Sequence, residues 1–110
     1  MSGSASLGSG TQRFDCLLQA VSAEFNVPVE QIRQRGRHGN WARQAVIWLA
    51  HESLKLAHRE IVELLGNLSE SAVRDSLRRT HRQFGEPAGS AFREALANVE
   101  AKSLRGPGPL

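Results

Sequence analysis

Between residues 11 and 104 the apolar positions recur every three or four residues, the period of an amphipathic helix rather than the alternation of a strand. In "TQRFDCLLQAVSAEF", residues 11–25, Phe14, Leu17, Leu18, Val21 and Phe25 share a face, and Thr11 is fit to cap its start. Cys16 lies beside this stripe and is expected in the core rather than at a reactive site. "NVPVEQIRQ" predicts a short helix with Pro28 in its first turn and Val29 and Ile32 inward. "RQRGRHGN", residues 33–40, breaks the pattern with alternating arginines and two glycines, and reads as a loop.

Asn40 then suits the N-cap of a long helix, "WARQAVIWLAHESLK". Its apolar residues Trp41, Ala42, Ala45, Val46, Trp48 and Leu49 spread around much of the circumference, which predicts a central helix packed on several sides. "AHREIVELLG" is a short helix closed by Gly66. Ser69 opens the next, residues 69–83. "GEP" interrupts, and a last helix surrounds Phe92, Leu96 and Val99. The expectation is an all-α fold, a compact bundle of about six helices in one domain over 11–104. A disordered leader or expression remnant at 1–10 and a disordered tail at 105–110 flank it.

The 110 residues suffice for one modest core. No apolar run approaches the roughly 18 residues of a membrane span, and "MSGSASLGSG" lacks the basic flank and apolar centre of a signal peptide. One cysteine cannot form an internal disulfide, and with no export signal a cytoplasmic chain is expected. The net charge of +3 is unevenly spread: residues 33–82 hold ten cations and five acids, the remainder four and six. Twelve of the fourteen cations are arginine, the side chain suited to bidentate phosphate and guanine contacts.

Two helices joined by a short glycine-containing turn, the second one basic, form a candidate helix-turn-helix. On a helical wheel Val73, Leu77, Thr80 and Phe84 fall in a narrow arc that must face the core. Ser71, Asp75, Arg78 and Arg82 lie opposite, flanked by Arg74 and Arg79. Docked through its stripe, this helix would present hydroxyls at its N-terminus and arginines along its body, as insertion into a major groove requires.

The region from Phe14 to Val99 resembles the C-terminal DNA-binding domain of the bacterial replication initiator DnaA, of the Trp-repressor-like helical class. "FNVPVEQI", "ARQAVIWLA" and "REIVELLG" follow in the order of that domain's elements. Where the family's recognition helix opens with Asp-His-Thr-Thr, this chain has Ser69, Glu70, Ser71 and Ala72. "GNWARQAVI" and "GNLSESAVRDSLRR" are similar to a second group, the initiator-like domains appended to REP-associated tyrosine transposases. Those enzymes' catalytic tyrosine has no counterpart, since the chain contains none.

The resemblance implies that Arg43 enters a minor groove; a salt bridge is the alternative. Arg35, Arg37 and His38, with the helix start at Asn40, suit phosphate contact. Lys55, His58 and Arg59 border the next helix and suit phosphates across the groove. Ser69 is expected to cap, Ser71 to contact a base or phosphate, and Arg74 and Arg78 to reach guanine edges or backbone. Glu70 either pairs with Arg74 four residues on or accepts from a cytosine amino group, and Asp75 is placed to pair with Arg79.

Double-stranded DNA is thus the expected partner, bound alone or as part of a larger protein. Neither a cofactor nor a small-molecule substrate is expected. His38, His51, His58 and His81 match no metal-site spacing, and no nucleophile sits in a recognisable turn, so no enzyme is expected. The competing class is a protein-interaction module that keeps the fold without binding DNA.

Overall fold

The computed structural model describes residues 2–34, 41–66, 68–86 and 89–104, with side chains over 11–34, 41–66, 68–86 and 89–102. Among the described residues there are six α-helices and no strand: α1 Ser2–Phe25, α2 Val29–Arg33, α3 Trp41–Glu52, α4 His58–Leu65, α5 Glu70–Gln83 and α6 Ser90–Val99. A π-helical turn, Glu100–Leu104, follows α6. The all-α bundle inferred from periodicity is therefore the fold.

Three local expectations need correction. Helix α1 begins at Ser2, so Thr11 is an interior residue rather than a cap, and the backbone of residues 2–10 continues the helix. That stretch contains no proline, and a helix once started extends by one hydrogen bond per added residue. Cys16 is exposed, because one helical step of 100° from Leu17 and two from Phe14 carry it off the buried stripe. Pro28 sits at the N-cap of α2 rather than inside it, its carbonyl accepting from the amides of Gln31 and Ile32 at 3.0 and 3.1 Å.

Each helix contributes to one core, and α3 contributes most. Ala42, Ala45, Val46, Ile47, Leu49 and Ala50 are all buried, and α3 packs on each of the other five helices. Phe14, Leu17, Leu18 and Val21 of α1 meet it from one side. Ile61 and Leu65 of α4 and Val73 of α5 close the other. Trp48 is half-buried with its ring edge-on to Phe84 at 4.9 Å between centroids, whereas Trp41 leans on Phe92 at 5.0 Å and stays 45% exposed.

Candidate nucleic-acid interface

Helix α5 forms because its stripe and its start agree. Ser69 is extended and its hydroxyl accepts from the Ala72 amide at 3.1 Å, satisfying an N-terminal donor that has no partner within the helix. Val73, Ser76 and Thr80 are buried, and Leu77 and Phe84 pack half-buried beside them. Every residue on the opposite side is exposed: Glu70, Ser71, Arg74, Asp75, Arg78, Arg79, His81 and Arg82. The result is a docked helix with a hydroxyl near its N-terminus and arginines along its outer face.

Helix α4 meets it through a tight connection. Gly66 adopts φ 80° and ψ 164°, a conformation essentially reserved for glycine, while its amide donates to the Val62 carbonyl at 2.9 Å. At the other end of α4 the Glu60 carboxylate accepts from the Ala57 amide at 2.8 Å. Lys55 and Arg59 are exposed near this end, and Lys55 has φ 60°, a left-handed conformation costly for a side-chain-bearing residue. His58 is half-buried, its ring 5.1 Å from that of His51, whose Nδ1 lies 3.2 Å from the Leu56 carbonyl oxygen.

The expected ion pairs differ. Glu70 meets Arg59 of α4 at 4.0 Å instead of Arg74 of its own helix. Asp75 forms no ion pair with Arg79. Both helical pairs lie on a fully solvated face, where holding two long side chains together gains little. Arg35, Arg37, His38 and Asn40 lie outside the described residues.

The Arg43 guanidinium is half-buried and turned onto main-chain carbonyls. Nη1 donates to Ile32 at 3.0 Å, Arg33 at 2.9 Å and Gln34 at 3.5 Å, and Nη2 donates to Gly66 at 3.3 Å. Arg33 adds two bonds from Nη1, to Leu64 at 2.7 Å and Leu65 at 3.2 Å. Helix C-termini leave carbonyls unpaired and carry partial negative charge, so the ends of α2 and α4 attract these cations.

Gln44 was missed altogether. It is buried, and its Nε2 donates to Thr80 Oγ1 at 2.8 Å and to Gln83 Oε1 at 2.6 Å. Thr80 Oγ1 in turn donates to the Ser76 carbonyl at 2.9 Å. The available signal was a polar residue between Ala42, Ala45 and Val46 on the apolar side of a central helix, which must find a buried partner.

The surface thus defined belongs to a small helical domain that turns the outer face of one basic helix to solvent. The chain is 29% identical over 90 residues to the chromosomal replication initiator protein DnaA of Helicobacter hepaticus, in that protein's C-terminal part. The likeness covers 80% of this chain and 19% of the relative. No protein-family model matches the chain, and no solved structure does. Among the described residues no cluster of His, Cys, Asp or Glu is placed to hold a metal ion, and no helix is long and apolar enough to cross a membrane.

Proposed function

We propose that the chain is a double-stranded-DNA-binding helix-turn-helix domain, with α4 and α5 as its two helices and α5 in the major groove. One observation carries this reading. Helix α5 is fastened by Val73, Ser76 and Thr80 so that Ser71, Arg74 and Arg78 stand together on its free face, behind a capped N-terminus. Ser71 and the two arginines take base edges and nearby phosphates, while Lys55, His58 and Arg59 take phosphates beside α4. Arg35, Arg37, His38 and Asn40, which lie outside the described residues, are assigned further phosphate contacts. The likeness to a replication initiator over most of the chain supports the same assignment.

The replaced opening signature, Ser69-Glu70-Ser71-Ala72, argues for a target other than the initiator's own site. We assign the domain an accessory role in replication initiation or in a mobile element, the second on the motifs shared with transposase-associated domains.

Fluorescence anisotropy with random duplex and hairpin DNA across a salt series tests the proposal. Binding whose logarithm falls linearly with log salt, at a slope of several phosphates, supports it. Absence of binding at low salt refutes it and favours the protein-interaction module, for which the exposed acids Glu70 and Asp75 would then be contact residues.

A further inference from the structure

Two consecutive residues of α3 hold the two ends of the same unit. Arg43 reaches the connection ahead of α5: with Gly66 at one side of the guanidinium and the last carbonyls of α2 at the other, it ties the turn to the body of the fold. Gln44, one helical step of 100° away, reaches the last turns of α5 through Thr80 and Gln83. Gly66 precedes α5, whereas Thr80 lies ten residues after Glu70, roughly 15 Å along the helix at 1.5 Å per residue, so the two attachments hold opposite ends of it.

This separation matters because an apolar stripe alone fixes a helix poorly. Val73, Leu77 and Thr80 offer neighbours of similar shape one turn along, and a slip or a rock costs little contact area. A buried amide does not tolerate such a slip. Moving α5 by a residue would take Thr80 Oγ1 and Gln83 Oε1 away from Gln44 Nε2 and leave a buried amide donor without its partners. The direction of the bond is defined as well: Thr80 gives its proton to Ser76, so its oxygen is the acceptor that Gln44 requires. At the other end, a guanidinium with five donors in a fixed fork binds several carbonyls in one plane, which a lysine cannot do.

We propose that Arg43 and Gln44 are positioning residues, a two-point brace that sets the register and tilt of α5 and touches no DNA. The inference rests on the DNA-binding reading of α5. It reassigns Arg43 from the groove to the scaffold, and it adds Gln44 and Thr80 to the residues on which affinity depends.

The test is the salt series of anisotropy titrations on random duplex, with each variant held well below its own unfolding temperature. Arg43→Lys, Arg43→Ala and Thr80→Val are each expected to weaken binding about tenfold at every salt concentration with an unchanged slope, because no phosphate contact is lost. Thr80→Ser keeps the hydroxyl and is expected to bind within about twofold of wild type, while Arg74→Ala lowers the slope by about one. Should Arg43→Ala fail to fold, Arg43→Lys and Thr80→Val carry the same comparison. The proposal is overturned if either Arg43 variant loses about one unit of slope while its unfolding temperature matches wild type, or if Thr80→Val binds as wild type does.

Absence of DNA binding by the wild type would sink the DNA-binding reading alone. The brace is then judged by amide exchange: Arg43→Lys must lose protection at Leu68–Val73 relative to Leu17–Val21. Equal protection at both overturns it.

Discussion

The Glu70 carboxylate lies 4.0 Å from Nε of Arg59, so the acid that opens α5 faces a cation of α4 across the turn. The side chains are 54% and 78% exposed, which leaves the pair open to water and salt. An exposed pair of this kind contributes about 0–1 kcal/mol, and its consequence is electrostatic rather than structural. On the proposed DNA-binding reading, Glu70 offsets the charge of a cation assigned to phosphate.

Glu70→Gln should therefore leave the unfolding temperature within about 3 °C of wild type. It should raise DNA affinity at low salt about three- to tenfold and steepen the salt slope by about one, as Arg59 becomes available. Parallel titrations of the two proteins check this. A loss of affinity in Glu70→Gln would instead assign the carboxylate to a cytosine amino group.

Lys55 joins a charge to a strained backbone. Its φ of 60° costs a side-chain-bearing residue about 1 kcal/mol that glycine does not incur. Lys55→Gly should raise the unfolding temperature by about 2–6 °C while lowering the salt slope of DNA binding by about one. A stabilised variant with an unchanged slope would remove Lys55 from the phosphate contacts and leave it as a turn residue.

What the sequence revealed, and what it withheld, follows from which interactions leave a periodic trace. Ile61, Leu65, Val73 and Thr80 were readable because burial on a helix recurs every three or four residues. The same rule placed Ser71, Arg74 and Arg78 on the outside. Cys16 shows its limit, since a shift of one position rotates a residue by 100° and exchanges core for solvent. Arg43 was unreadable for another reason. Its partners are main-chain carbonyls of two segments, the end of α2 and Gly66, brought together by the fold, and a carbonyl has no letter in the sequence. Glu70 likewise had a correctly spaced partner in its own helix, yet the structure offered Arg59 from another.

Gly66 and Gly89 are both required, for different physical reasons. Among the described residues a Cβ on Gly66 would meet nothing within 4 Å, so its φ of 80° sets the cost of a substitution. A Cβ on Gly89, the residue before α6, would collide with the Gln83 carbonyl at the end of α5. Gly66→Ala should lose about 1–3 kcal/mol in urea unfolding through backbone strain. Gly89→Ala should lose a comparable amount, about 1–3 kcal/mol, by forcing apart α5 and α6. Amide chemical shifts separate the mechanisms: Gly89→Ala should move Gln83 and Phe84, whereas Gly66→Ala should leave them in place.

Glu24 gives the fold an acid-sensitive latch. Its carboxylate accepts from Asn98 Nδ2 at 3.2 Å and from Lys102 Nζ at 3.3 Å, joining α1 to α6 and the π-helical turn. The Asn98 hydrogen bond first, and Lys102 second, hold its pKa below the usual 4.5. A carboxyl depressed in the folded state stabilises the fold above its ordinary pKa and loses that contribution as pH falls through the depressed value. The unfolding temperature of wild type should therefore exceed that of Glu24→Gln near neutrality, and the two curves should converge as pH falls below the depressed pKa. Acids common to both proteins cancel in the comparison, so curves that remain parallel would show that the latch contributes nothing. Because Glu24 is in α1 and its partners lie in α6 and the π-helical turn, Glu24→Gln should leave DNA affinity at neutral pH unchanged. That separates loss of the latch from loss of the surface on α5.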